Sequence, residues 1–139
     1  MDNSFLTNYT DLTFLEKLKN NLKVCKSFCF TVSFIKNAGL VLLEKELLEA
    51  LNRGVKGKII TSTYQNFTDT HSLRKFLKWQ QQYPNFKCHV DLQCFGDNGF
   101  HTKGYLFEFN KEEEFLVGST NITRFALLKK KNGLWFRKN

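Results

Sequence analysis

Phe100-His101-Thr102-Lys103-Gly104-Tyr105-Leu106-Phe107, followed by Phe115-Leu116-Val117-Gly118-Ser119-Thr120-Asn121, decides how this chain reads. Both are apolar, aromatic-rich runs of strand length. Side chains alternate along a strand, so residues two apart share a face. A strand through this first run would present His101 and Lys103 together, opposite Thr102. The second run ends in Gly118-Ser119-Thr120-Asn121, where small hydrogen-bonding residues predict a turn. An imidazole, an ammonium, a hydroxyl and an amide would then meet at one sheet edge. That set suits an anionic phosphate: a nucleophile or proton carrier, a positive charge and two neutral hydrogen-bonding groups.

Working outward, Ser27 to Ile35 reads as a buried strand and Leu40 to Asn52, opened by Gly39, as a helix stopped by Arg53-Gly54. Val55 to Thr63 reads as a second strand. Strand, helix, strand at this spacing predicts a parallel βαβ unit with a right-handed crossover. Leu12 to Leu22 has helical periodicity, with Thr10 or Asp11 as the expected cap. A helix is expected from Asp69 to about Tyr83, with Leu73, Phe76, Leu77 and Gln80 on one face, ended by Pro84-Asn85. Phe86 to Phe95 reads as a third strand and Gly96 to Gly99 as a turn. Phe115 to Gly118 reads as a fifth strand. Ile122 to Lys130 reads as a short helix packed by Phe125, Leu127 and Leu128, and Gly133 to Phe136 as a last strand. Thr61 to Thr68 is rich in hydroxyls and amides at the C-terminal end of a strand, the end that lines ligand crevices in open α/β sheets.

The chain has 139 residues, which predicts one domain spanning 1–139. With 42% hydrophobic residues and 15 Phe, core material is plentiful. No apolar run is long enough for a membrane span, and the first residues lack a signal-peptide profile. The net charge of +8 favours an anionic partner such as nucleic acid. Cys25, Cys29, Cys88 and Cys94 do not have zinc-site spacing and read as core thiols. Unpaired thiols without a signal sequence point to a reducing cytoplasm. His71 and His89 read as structural or surface residues, and Trp79 and Trp135 as core or interface.

His-x-Lys at 101–103 with Gly-Ser-x-Asn at 118–121 resembles the half-site of the phospholipase D superfamily. Glu108 stands at the position where that pattern has Asp. Together with the block from Ile60 to Asp69, the chain from about Val32 onward is similar to the phospholipase D-like nuclease domain at the N-terminus of bacterial superfamily 2 helicases and restriction-type proteins. The resemblance implies an α/β sandwich with a mixed central β-sheet flanked by helices on both faces. It also implies that the chain is a piece of a longer helicase-type protein, with the motor domain outside it.

The resemblance further implies a phosphodiesterase that needs no cofactor and no metal. His101 would attack phosphorus, Lys103 and Asn121 would bind the non-bridging oxygens, Ser119 would assist, and Glu108 would orient a partner or be structural. Thr63, Tyr64 and Asn66 would line the substrate crevice. The family's chemistry uses two His-x-Lys motifs and this chain has one, so the resemblance implies a homodimer with one shared site. The expected partners are DNA and a second copy, with no membrane. The competing expectation is a nucleic-acid-binding or dimerisation module with weak or lost activity, Glu108 being the departure that raises it. Phospholipid hydrolysis is the third reading and fits the sequence least, since no membrane-binding amphipathic surface is evident.

Overall fold

A computed structural model describes residues 2–6, 13–63, 68–92, 103–128 and 133–138; in the first and last of these segments it describes the backbone. The strands are β1 Asp2–Leu6, β2 Ser27–Thr31, β3 Lys56–Ser62, β4 Phe86–Asp91, β5 Gly104–Glu108, β6 Glu113–Val117 and β7 Gly133–Lys138. The helices are α1 Phe14–Val24, α2 Asn37–Leu40, α3 Glu44–Asn52, α4 Thr70–Gln82 and α5 Arg124–Leu128. All the strands join one seven-stranded sheet in the order β1-β7-β6-β5-β2-β3-β4. β2, β3 and β4 run parallel, while β5, β6, β7 and β1 continue from β2 in antiparallel pairs.

The expected βαβ unit is present. Phe28, Phe30 and Ile59 alternate inward and are at most 2% exposed. Each crossover, from β1 to β2, β2 to β3 and β3 to β4, steps in the same direction across the sheet. The right-handed rule therefore sends all three helical connections to one face. The contacts agree. On α1, Phe14 packs edge-on against Tyr105 at 5.1 Å. On α3, Leu51 lies over Gly57 and beside Phe28. On α4, Phe76 and Trp79 pack on Phe86. α2 touches α4 and α5 touches α1, so they extend this layer. The mixed sheet and its flanking helices match expectation; the second helical layer is not among the described residues.

Several local expectations are corrected. The cap of α1 is Thr13, in a capping box with Glu16; Thr10 and Asp11 lie outside the described residues. The expected helix 40–52 is broken at 41–43 into α2 and α3. At the break the Leu42 and Leu43 N–H groups bond three residues back, to the Gly39 and Leu40 carbonyls, and Gly39 lies where a Cβ would sit 2.5 Å from the Thr123 backbone. Gly54, at φ 86°, terminates α3 as expected. β2 stops at Thr31, and Ile35 instead makes a single parallel bridge to Ile122. β4 ends at Asp91; the Gly96–Gly99 turn and Cys94 lie outside the described residues.

The buried face of α4 is turned from that expected. Ser72, Phe76 and Trp79 point inward, and Leu77 is 58% exposed. In α5 Leu127 alone is buried, with Phe125 and Leu128 exposed. β1, which the sequence did not announce, forms the sheet edge by pairing with β7.

Candidate functional site

The strand directions bring one set of chain ends together. The C-terminal ends of β2, β3 and β6 and the N-terminal end of β5 share one sheet edge. Hydroxyls crowd this edge: Ser33, Thr61 and Ser62 are at most 2% exposed, and Thr68 and Thr120 are also buried. Each has a hydrogen-bonding task. Ser62 Oγ donates to the Ser33 carbonyl at 2.7 Å. Thr68 Oγ1 donates to the Ser62 carbonyl and accepts from the Ile35 N–H. The buried Tyr105 hydroxyl donates to the Thr120 carbonyl at 2.6 Å, and burial holds its pKa far above the usual range. These bonds satisfy groups that would be costly if left unpaired, and they fix the backbone at the edge.

Lys103, just before β5, and Asn121, just after β6, both reach this floor. Lys103 lies one residue before β5, outside the strand, so the alternation expected of His101 and Lys103 does not apply to it. Its Nζ donates to Ser33 Oγ at 3.1 Å. Asn121 is 6% exposed, and its Oδ1 accepts from the Phe34 N–H at 3.2 Å. The two expected anion-binding side chains thus hold adjacent residues, 33 and 34. The Gly118 N–H also donates to the Lys103 carbonyl. Burial pushes the Lys103 pKa below the ordinary lysine value. An anion beside it would oppose that shift, because an opposite charge at close range favours the charged form. Ser119 is exposed, on the turn leading to Asn121.

The segment carrying Asn121 is tied to the loop after β2. The Lys36 N–H donates to the Ile122 carbonyl at 2.9 Å, beside the Ile35–Ile122 bridge. Asp69 secures the other side: Oδ1 caps α4 through the Ser72 N–H, and Oδ2 accepts from the Asn37 N–H.

Of the remaining expected residues, Thr63 is half-buried at the end of β3, its N–H donating to the Asp91 carbonyl. His101, Tyr64 and Asn66 lie outside the described residues. Glu108 stands apart from Lys103 and Asn121. It ends β5 at the opposite sheet edge, roughly 17 Å from Lys103 at about 3.4 Å per residue. There it accepts a 2.7 Å hydrogen bond from Ser27 Oγ. Sequence reasoning missed Ser33; its signal was a serine directly after an apolar strand, at the end where crevice residues gather.

His71 and His89 are exposed, and Trp79 is buried, as expected. Side-chain surroundings of Trp135 lie outside the description. Burial pushes the Cys25 and Cys88 thiols up to about 11 and raises Cys29 as well, in keeping with inert thiols. Among the described residues no three His, Cys, Asp or Glu side chains gather as metal ligands would. No described helix is long and apolar enough to cross a membrane. The larger described cleft, about 770 Å³, is not at this edge; Lys56, Lys87 and Glu108 line it at the other.

Solved structures share this architecture. The chain superimposes on the phospholipase D family member Nuc from Salmonella typhimurium with a TM-score of 0.61 and 19% identity, over 96% of this chain and 79% of that one. It has the phospholipase D fold. NucT from Helicobacter pylori gives a TM-score of 0.65 at 17% identity, over 96% of this chain and 83% of NucT. Phosphatidylserine synthase from Haemophilus influenzae Rd KW20 gives 0.68 at 16% identity; the match covers 96% of this chain and 34% of the synthase. No family model and no curated protein sequence matches the chain.

Proposed function

We propose that this chain is a metal-independent phosphodiesterase of the phospholipase D type that cleaves DNA, with one site completed by two copies. The observation that carries the reading is the joint placement of Lys103 and Asn121 on Ser33 and Phe34, at the edge that the fold offers to ligands. In the proposed reaction an imidazole nitrogen of His101 forms a bond to phosphorus as the P–O bond to the leaving group breaks. His101 of the second copy gives its proton to the leaving oxygen. It then takes a proton from water, whose oxygen displaces the histidine. Lys103 and Asn121 hold the non-bridging oxygens as charge develops on them, and Ser119 assists from the turn. Thr63, Tyr64 and Asn66 flank the bound strand.

Glu108, at the far edge beside Ser27, has the structural role in this reading. The charge of +8 supports DNA over a neutral substrate. Attachment to a helicase motor in a longer polypeptide rests on the sequence resemblance alone.

The test is DNA cleavage in excess EDTA by the wild type and by His101→Ala. Cleavage that survives EDTA and disappears with the variant is the expected result. DNA bound without turnover on single- and double-stranded substrates would instead leave a binding module.

A further inference from the structure

The sheet face turned away from α1, α3 and α4 carries a basic stripe on β3 and β4. Lys56 and Lys58 alternate with the buried Gly57 and Ile59, so both point outward. Lys87 and His89 point the same way from β4, since Lys58 pairs with Lys87 and Ile60 with His89. All four are exposed. None of the described helices lies over them; α4 packs on Phe86, which points to the other face. The three lysines also line the cleft of about 770 Å³ at the edge far from the site.

This basic charge is not answered nearby. From Arg53 to Val90 the chain has seven Lys and Arg and one acidic residue, Asp69. Asp69 is taken up by the Asn37 and Ser72 N–H groups, and Lys75 pairs with Glu44. Lys56, Lys58 and Lys87 have no ion pair among the described residues. Like charges on directly paired residues cost stability, and Lys58 stands beside Lys87 at the strand spacing of about 4.8 Å. A lysine on an edge strand blocks unwanted pairing, which accounts for Lys87 on β4. Lys56 and Lys58 are on β3, inside the sheet, where edge protection does not apply. Two acidic groups border the stripe. Asp91 ends β4, and Glu108 lies two strands from Lys56, accepting from Ser27 Oγ.

We propose that this stripe binds the phosphate backbone of the DNA to one side of the cut, away from the reacting phosphate. This rests on the DNA-cleaving reading above, and it extends the substrate contact beyond the site edge. Lys58 and Lys56 lie four and six residues before Ser62, roughly 13 and 20 Å from that edge at about 3.3 Å per residue. That reach corresponds to about four to six base pairs at roughly 3.4 Å each. A run of phosphates, unlike a single one, engages the stripe along its length. Each ammonium that meets a phosphate releases a counterion, so these contacts strengthen binding at any sequence and weaken as salt rises.

Fluorescence anisotropy tests the surface, with the full chain and a labelled duplex of about 24 base pairs, longer than the reach on either side of a central cut. Every protein compared carries His101→Ala, so that the DNA stays whole. Lys56→Gln, Lys58→Gln and Lys87→Gln together should make the slope of log association constant against log salt shallower by about 2–3. Each alone should change it by about 0.9. The charge-matched control combines Lys23→Gln, Lys45→Gln and Lys111→Gln, at exposed positions elsewhere, and should change the slope by less than about 1. Circular dichroism confirms that each variant is folded. Equal changes in the two triple variants, or no change in either, would overturn the proposal. Loss of binding to phosphatidylserine vesicles by the stripe variant, with its DNA slope unchanged, would also overturn it and make the partner a lipid surface. A stripe-dependent slope, in a chain whose wild type cuts no DNA, would remove the proposed activity and leave this surface standing. DNA cleavage by the wild type with a slope indifferent to the stripe would do the reverse.

Discussion

Lys103 Nζ sits 3.1 Å from Ser33 Oγ, so the ammonium at the start of β5 is held by a hydroxyl just past the end of β2. This contact points the charge at the site, and burial there lowers the lysine pKa. A group whose cationic form is disfavoured on folding destabilises the fold while protonated. Stability should then rise with pH across the window between its lowered folded pKa and its ordinary value near 10.4. Lys103→Met removes the charge and keeps the stem. Cleavage should fall by about 10²–10³-fold, the scale of losing one oxyanion-stabilising group, while the melting temperature at neutral pH stays level or rises. A fall in both activity and melting temperature would make Lys103 a structural residue. Thermal melts across pH, beside the cleavage assay, separate the outcomes.

Asp69 couples α4 to the loop that carries Ser33 and Phe34. Burial pushes its pKa up, but the Asn37 and Ser72 N–H groups and the Lys36 charge together pull it below the ordinary value. A depressed carboxylate contributes stability above its unfolded pKa of about 3.9, and that contribution is lost as pH falls through the lower folded value. Asp69→Ala should cost about 1–2 kcal/mol at neutral pH, as expected for a lost cap. The gap from wild type should close as the pH drops below about 4. Urea unfolding at a series of pH values measures it.

Gly39 is where the α2 turn meets the backbone of Thr123, two residues beyond Asn121. A methyl group there must displace main chain, since the three nearest atoms lie within 2.7 Å and all belong to the Thr123 backbone. Gly39→Ala should cost about 1–3 kcal/mol as an overpacking change. It should also lower cleavage, because the Asn121 segment moves with Thr123. Gly54→Ala is the control: its positive φ makes Ala strained, yet nothing crowds it, so its cost should leave turnover unchanged in the folded fraction. Equal activity of the two variants would disconnect Gly39 from the site.

The legible parts of the sequence were those governed by local pattern. The alternation of Phe28 and Phe30, and the Arg53-Gly54 stop, placed the βαβ unit from residues alone. The Gly118-Ser119-Thr120-Asn121 turn was equally plain. What local pattern could not supply depended on distant partners. β1 is a strand because β7 is beside it. The close approach of Gly39 to the Thr123 backbone joins residues far apart in the chain. Glu108 occupies the acidic position of the family pattern, and a strand's length carries it to the other edge. The Thr13 cap was a different kind of miss: its Thr-x-x-Glu signature was in the sequence, and a capping box is a stronger signal than a lone Asp11.

Glu114 is fully buried on β6, and α1 supplies its partners. Lys17 Nζ lies 2.9 Å from Oε1, and Asn21 Nδ2 donates to Oε1 at 2.7 Å. These contacts fix α1 against the strand that leads into Ser119 and Asn121. Removing one partner of a buried pair leaves the other charge uncompensated, which costs about 3–5 kcal/mol. Lys17→Met should therefore destabilise strongly, even though it adds an apolar side chain. Glu114→Gln alone should cost less, because Asn21 can still donate to the amide oxygen while Lys17, 13% exposed, can turn toward water. The double variant, Lys17→Met with Glu114→Gln, removes both charges and should recover much of the loss from Lys17→Met. A double-mutant cycle read by urea unfolding measures the coupling. If Lys17→Met proved as stable as the wild type, the ion pair would not be what fastens α1 to the sheet, and the Phe14–Tyr105 contact would have to carry that attachment.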